Sequence, residues 1–215
     1  DENFRPTAVA GCPPDGFSAD GQLWGNPLYK WDYHEKTGFA WWIKRIKKCS
    51  EIYDVVRIDH FRGFDEYFSI PAGDTTARNG HWEQGPGMKL FNAIKESLGE
   101  VRIIAEDLGF ITDTVKKLVR DSGFPNMKVL EFAFDERDSS SGSSSDNQYL
   151  PFNYNRNCVV YTGTHDNETL RGWLDSITEQ ELGNVREYLG IPESIGKDNI
   201  VELLIRQALG SVADM

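Results

Sequence analysis

The chain has 215 residues, of which 39% are hydrophobic and 12% aromatic, and its formal net charge at pH 7 is −11. This length fits one large domain or two small ones. The negative charge argues against nucleic acid and against an anionic membrane surface as partners. It does not argue against a neutral ligand such as a sugar.

The cysteines Cys12, Cys49 and Cys158 are far apart in the sequence and odd in number. Their spacing predicts neither a disulfide framework nor a zinc site. A reducing, cytoplasmic setting is the simplest interpretation. No apolar run approaches the ~18 residues of a membrane span, and no signal peptide is visible.

The first segment, residues 1–33, is rich in glycine, proline and aromatic residues. With so many residues that interrupt regular structure, it cannot form one long helix or strand. Long loops are usually functional or disordered, and the aromatic content favours an ordered loop that faces a ligand. An aromatic lid over the core is the alternative.

Apolar periodicity predicts the remaining elements. The predicted strands are 54–59, 101–106, 127–134 and 158–162. The predicted helices are 34–50, 88–98, 112–120, 167–175, 179–189 and 198–209. Gly99 is expected to end the second of these helices, and Thr112 is expected to be the N-cap of the third.

The predicted strands are apolar along their length, which is typical of parallel strands buried on both faces. Acidic residues follow the ends of three of them: Asp59, the pair Glu106 and Asp107, and the pair His165 and Asp166. A (β/α)8 barrel gathers catalytic residues at such strand ends, and a doubly wound open sheet also binds ligands there. The absence of a glycine-rich phosphate loop disfavours nucleotide binding.

Residues 138–146 (DSSSGSSSD) have a low-complexity sequence. We interpret this stretch as a flexible insertion or linker. It occupies the position at which a barrel would have its sixth helix.

Arg57 and Asp59 are two residues apart on a predicted strand, so their side chains point to the same side. A guanidinium at that position keeps a carboxylate ionised and oriented. Such a pair suits an enzymatic nucleophile, and it equally suits a buried structural ion pair.

The other strand-end residues suggest complementary chemistry. Glu106 follows an apolar run, so burial would raise its pKa and favour a general acid. Retaining glycosidases combine such an acid with an ionised nucleophile ~5–5.5 Å away. His165 and Asp166 suit sugar hydroxyls and the stabilisation of a cationic transition state. Helix capping, a structural His–Asp hydrogen bond and a metal site formed by three carboxylates are the alternatives.

Five motifs in this order resemble one known family. They are VAGCPPD (9–15), GQLWGNPLY (21–29), RIDHFRG (57–63), IAEDLG (104–109) and YTGTHDN (161–167). The sequence is similar to the 4-α-glucanotransferases, also called amylomaltases or disproportionating enzymes. These form glycoside hydrolase family 77 of the α-amylase clan.

The resemblance implies an α/β fold of the (β/α)8 TIM-barrel type, with this chain covering roughly strands 4 to 7 as part of a single catalytic domain, 1–215. It implies a retaining double displacement with Asp59 as nucleophile, Glu106 as acid/base and Asp166 as transition-state stabiliser. Further positions match residues that contact the substrate: Arg57, His165, Gln22, Trp24, Asn26, Phe17, Asp107 and Asp135. The implied partners are maltooligosaccharides or glucans derived from starch or glycogen, and no cofactor or metal is expected.

The sequence departs from the family in two respects. Family members often carry an aromatic residue at the position of Gly16, so only Phe17 remains of an aromatic pair near the acceptor site. The chain also lacks counterparts of the first three barrel strands. We therefore expect a partial barrel that is poorly active and prone to self-association through exposed edges. A non-catalytic glucan-binding fragment and an α-amylase-clan hydrolase are the alternatives to a transferase.

Overall fold

The computed structural model describes residues 2–3, 5–16, 18–109, 111–135 and 146–215. The chain divides into two compact units, Asp1–Phe124 and Pro125–Met215, called here the N-terminal and C-terminal units. No helix within the described ranges combines the length and the apolar character needed to cross a bilayer.

An antiparallel sheet in the N-terminal unit has the strand order β2-β1-β4-β5. Its strands are β1 (Ala8–Cys12), β2 (Gln22–Pro27), β4 (Glu66–Pro71) and β5 (His81–Gln84). The segment 1–33, expected to be a loop, therefore contains two strands. The glycines and prolines do not prevent this: Pro27 ends β2, Gly11 lies at a point of close approach, and Gly25 has a positive φ of 79° where the pairing of β2 with β1 is irregular.

Gly11 is such a point of close approach. A side-chain carbon at this position would lie 2.1 Å from the carbonyl oxygen of Gln22. The pairing of β1 with β2 is irregular between Val9 and Gly11, as in a β-bulge. Only glycine allows β2 to run this close to β1, so this residue fixes where the exposed face of β2 lies.

The strand β3 (Val56–Ile58) runs parallel to β6 (Ile103–Ala105) in the same unit. The register pairs Ile58 with Ala105. Because the two strands are parallel and end in register, the residues that follow them emerge at the same edge.

Helices α1 (Trp31–Lys36), α2 (Ala40–Ile52), α3 (Met88–Leu98) and α4 (Asp113–Ser122) complete the N-terminal unit. The predicted caps are confirmed: Gly99 is the C-cap of α3 with φ 73°, and the Thr112 hydroxyl accepts a hydrogen bond from the amide of Val115. The helices cover a core in which the rings of Phe61 and Phe91 stack with centroids 5.0 Å apart.

The helix predicted over 34–50 is interrupted. A turn separates α1 from α2, and Phe39 adopts a left-handed conformation with φ 55°. Phe39 is only 4% exposed. Burial of this ring in the core offsets the backbone cost, a tertiary effect that helical periodicity does not reveal.

The C-terminal unit contains the parallel strands β7 (Asn126–Val129) and β8 (Cys158–Tyr161). The strand predicted over 127–134 ends earlier than expected, because Leu130–Ala133 form a 3-10 turn. This turn buries Glu131, which is 3% exposed. Of the predicted Ser-rich stretch, residues 138–145 lie outside the described residues.

Three helices follow β8: α5 (Leu170–Ser176), α6 (Glu179–Leu189) and α7 (Lys197–Leu209). Thr178 and Glu181 form a capping box that starts α6. The last residues run beside β8, with the amide of Val160 donating to the carbonyl of Met215 at 2.9 Å.

Candidate active site

The turn after β3 carries an ion pair. Arg57 Nη1 lies 2.7 Å from Asp59 Oδ1, as the spacing of the two residues predicted. The Asp59 side chain is 77% exposed and that of Arg57 29%. The alternative of a buried structural pair is therefore wrong for this chain, and the carboxylate is held in place while remaining accessible.

Glu106, at the end of β6, has the opposite environment. It is 9% exposed, and the amides of His60 and Leu108 each donate to one of its carboxyl oxygens at 2.7 Å. Burial raises the pKa of Glu106, an effect that these two hydrogen bonds and Arg57 oppose and that the negative charge of Asp59 reinforces. The direction predicted from the sequence is confirmed, and a raised pKa favours the protonated acid.

Strand β2 carries three exposed candidate sugar-binding residues, Gln22, Trp24 and Asn26. The strand is irregular between Leu23 and Pro27, where Gly25 has φ 79°. Trp24 Nε1 donates to Gln22 Oε1 at 3.0 Å. The Trp24 ring meets the imidazole of His60 edge to face, with centroids 4.8 Å apart.

A cavity of about 500 Å³ lies between β2 and the turn after β3, and Glu106 is not part of its lining. Its lining includes Trp24 and Asn26 from β2 together with Arg57, Asp59 and His60. The N-terminal unit thus places an accessible carboxylate, an aromatic ring and the amide group of Asn26 around one opening. Carbohydrate sites combine stacking surfaces and hydrogen-bonding groups in this way.

His60 was not among the predicted site residues. Its backbone is left-handed with φ 48°, which turns the chain so that its amide reaches Glu106 while its ring contacts Trp24. Burial, assisted by Arg62 and opposed by Asp59, lowers the pKa of His60 to about 4. The imidazole is therefore neutral near pH 7. Its position directly after Asp59 was the signal available in the sequence.

His165 and Asp166 lie in a turn after β8 in the C-terminal unit. Both side chains are 75% exposed, and His165 Nε2 lies 3.4 Å from Asp166 Oδ1. The turn is organised by Asn167, whose Oδ1 accepts from the amide and the hydroxyl of Thr164, each at 2.9 Å. Two polar side chains are thereby presented to solvent from a fixed backbone.

The remaining candidate site residues are Asp107, Asp135 and Phe17. Asp107, next to Glu106, and Asp135, after the 3-10 turn of the C-terminal unit, are partly buried. Phe17 lies outside the described residues. Within the described ranges, no group of three or more His, Cys, Asp or Glu side chains has the geometry to hold a metal ion.

Parallel strands with acidic residues at their carboxyl ends, connected by helices, define a protein of the (β/α)8-barrel class. The profile of glycoside hydrolase family 77, described as 4-alpha-glucanotransferase, matches residues 1–215. The chain belongs to this family, and its fold is a segment of the family's barrel.

Individual relatives agree. The 4-alpha-glucanotransferase of Clostridium butyricum is 52% identical over 91% of this chain and 39% of its own length. The chloroplastic/amyloplastic enzyme of Solanum tuberosum is 47% identical over 97% of this chain and 34% of its own length. A solved amylomaltase from Streptococcus agalactiae, in complex with acarbose, matches with a TM-score of 0.89 and 42% identity over 100% of this chain and 41% of that chain. This chain thus spans about two fifths or less of these relatives.

Proposed function

We propose that the protein containing this chain is a 4-α-glucanotransferase that moves α-1,4-glucan segments between maltooligosaccharides. The observation that carries the proposal is the contrast between two carboxyl groups at neighbouring parallel strand ends. Asp59 is exposed and paired with Arg57, whereas Glu106 is buried and has a raised pKa. One nucleophile and one protonated acid are what a retaining double displacement requires.

In the first step, a carboxylate oxygen of Asp59 attacks the anomeric carbon of the donor. Glu106 gives its proton to the glycosidic oxygen, which leaves as the 4-hydroxyl of the released sugar. In the second step, ionised Glu106 takes the proton from the 4-hydroxyl of an acceptor sugar, and that oxygen displaces Asp59 from the anomeric carbon. The acid/base returns to its starting state, so no cofactor is consumed.

Other residues take supporting roles in this proposal. Asp166 stabilises the positive charge that develops on the sugar ring, and Arg57 and His165 contact the sugar at the bond being broken. Trp24 stacks on a sugar ring. Further contacts are assigned to the following residues: Gln22, Asn26, Phe17, Asp107 and Asp135. The acarbose bound to the Streptococcus agalactiae amylomaltase supports an α-glucan as ligand.

The proposal also covers the cellular compartment and the oligomeric state. Cys12, Cys49 and Cys158 are free thiols, which supports a reducing, cytoplasmic compartment. Self-association of the isolated chain is proposed to involve β3, the strand at the edge of its sheet. We take residues 1–215 as part of one catalytic barrel. Residues 1–33 contribute to its substrate site.

Incubation with maltotriose tests the function. The full-length protein, this chain, and both carrying Asp59→Asn are compared by product size, with Asp113→Asn as a control because Asp113 is a fully exposed helix residue. A ladder of longer oligosaccharides plus glucose is expected from the full-length protein and its control, and none from Asp59→Asn. Shorter products alone would indicate a hydrolase, and binding without turnover would indicate a glucan-binding protein.

A further inference from the structure

A buried carboxyl group in the C-terminal unit has no role in the reaction described above. Glu131 lies in the 3-10 turn after β7 and is 3% exposed. Among the described residues its Oε1 has no hydrogen-bond partner. An unpaired buried carboxylate is costly, so such a position requires either a counter-ion or a proton on the group.

The charged groups near Glu131 do not supply a counter-ion. Glu168, which follows the turn after β8, adds negative charge. Lys128, the basic residue of β7, donates a hydrogen bond to Gln148 Oε1 and lies over the ring of Tyr149. His165 and Asp166 are each 75% exposed. Burial, with Glu168 as a smaller contribution, raises the pKa of Glu131 to about 7.

The carboxyl group is packed against the start of the turn that carries His165 and Asp166. A side-chain carbon at Gly163 would lie 2.7 Å from Glu131 Oε1 and 3.0 Å from Oε2. The amide of Glu131 also donates to the carbonyl of Thr162 at 3.1 Å. The position of this turn and the state of the carboxyl group are therefore linked by direct contact.

We propose that Glu131 is a positioning residue that supports the turn 163–167 as a neutral carboxylic acid, and that loss of its proton shifts this turn. Loss of the proton leaves a negative charge on the buried Glu131 carboxylate, beside Glu168 and the backbone of Gly163. The carboxylate gains hydration only if the packing against Gly163 loosens. The catalytic consequence rests on the proposed function, because there Asp166 stabilises the transition state.

Amide NMR of residues 163–167 between about pH 5 and pH 9 tests the link without relying on activity. The parent for this test carries His165→Gln, so that the turn itself holds no imidazole, and its amides are expected to shift together with an inflection near the pKa of about 7 of Glu131. Glu131→Gln, which keeps the shape of a neutral carboxyl, should abolish the inflection. Glu168→Gln should move it to lower pH, because the nearby negative charge is removed.

Glu181→Gln serves as the control, since Glu181 is also buried but belongs to the capping box of α6. It should leave the inflection unchanged. Absence of an inflection in the His165→Gln parent, or its persistence when Glu131→Gln is added, would overturn the proposal. These NMR outcomes do not depend on glucan transfer. A failure of this proposal can therefore be distinguished from a failure of the proposed function.

A double-mutant cycle provides a second measurement. Gly163→Ala should destabilise the chain, because the added carbon collides with the Glu131 carboxyl. The loss of stability should be smaller in a Glu131→Ala background, because the space that the Glu131 carboxyl occupies is then empty. Equal losses in both backgrounds would contradict the contact on which the proposal depends.

Discussion

Asp59 and Glu106 emerge from neighbouring parallel strands into different surroundings, and this difference assigns them different chemistry. Asp59 keeps water around its carboxylate and Arg57 at 2.7 Å. Glu106 loses water, which raises its pKa, although two amides donate to its oxygens. Those amides hold the carboxyl group in one orientation, as a proton donor requires.

Glu106→Gln should separate the acid role from the rest of the site. With maltotriose we expect the full-length enzyme to lose about 10²–10⁴-fold in transfer rate, the usual range for general acid–base catalysis. With α-maltosyl fluoride, whose leaving group needs no proton, formation of the glycosyl-enzyme should be much less affected. Burst kinetics with both donors measure this. Glu100→Gln, at a solvent-exposed glutamate, is the matched control, and equal losses with both donors would contradict the assignment.

The pH profile provides a further test at the residue scale. Because burial raises the pKa of Glu106, its proton is retained above the pH at which an ordinary glutamate loses it. The proposed mechanism needs that proton, so kcat/KM should fall as pH rises through the raised pKa. The alkaline limb of the kcat/KM profile of the full-length enzyme is expected above the ordinary glutamate value of 4.5. An alkaline limb of the kcat/KM profile at the ordinary glutamate value would show that Glu106 is not the acid.

At the scale of elements, the site depends on how β2 is held against β1. Trp24 of β2 contacts His60, and β2 itself runs close to the backbone of Gly11. The exposed residues of β2 and the turn that carries Asp59 come from different parts of the sequence. Their relation is therefore set by the pairing of strands rather than by local spacing.

Gly11→Ala should disrupt this pairing. The added carbon would lie 2.1 Å from the carbonyl oxygen of Gln22, and overpacking of this kind costs about 1–3 kcal/mol. We expect a lower free energy of unfolding, measured by denaturant titration. Gly183→Ala is the matched control, because no atom lies within 4 Å of the added carbon in helix α6 and alanine favours a helix by about 1 kcal/mol. An unchanged stability of Gly11→Ala would contradict the close approach.

At the scale of the whole molecule, the chain represents a minor part of its relatives, 39% of the Clostridium butyricum protein. In the N-terminal unit β3 pairs with β6 on one side and, within the described residues, with no strand of that unit on the other. The preceding residues Ile52, Tyr53 and Val55 are 61%, 60% and 37% exposed. An unpaired edge beside exposed apolar side chains is prone to association.

We expect the isolated chain to self-associate in a concentration-dependent manner and to have little transfer activity. Size-exclusion chromatography with light scattering measures the association. Ile52→Lys with Tyr53→Lys should reduce it, whereas Tyr33→Lys, at an equally exposed aromatic residue (63%) away from β3, should not. A monodisperse, fully active monomer of 215 residues would contradict this expectation.

The sequence by itself determined the features that depend on local patterns. Apolar runs located β3, β6, β7 and β8 to within a few residues, and the caps Gly99 and Thr112 were identified because capping chemistry acts over three or four residues. The pairing of Arg57 with Asp59 followed from the period of a strand. The family motifs indicated which carboxyl groups to consider.

Only the tertiary structure decided the features that depend on distant contacts. The segment 1–33 was expected to be a loop, but pairing between β1, β2 and β4 satisfies its backbone. The left-handed His60 links Trp24 to Glu106, which lie 82 residues apart in the sequence. Glu131 was read as part of a strand, yet a 3-10 turn buries it against Gly163. Burial and pKa arise from neighbours brought together by folding, and sequence periodicity contains no information about which neighbours those are.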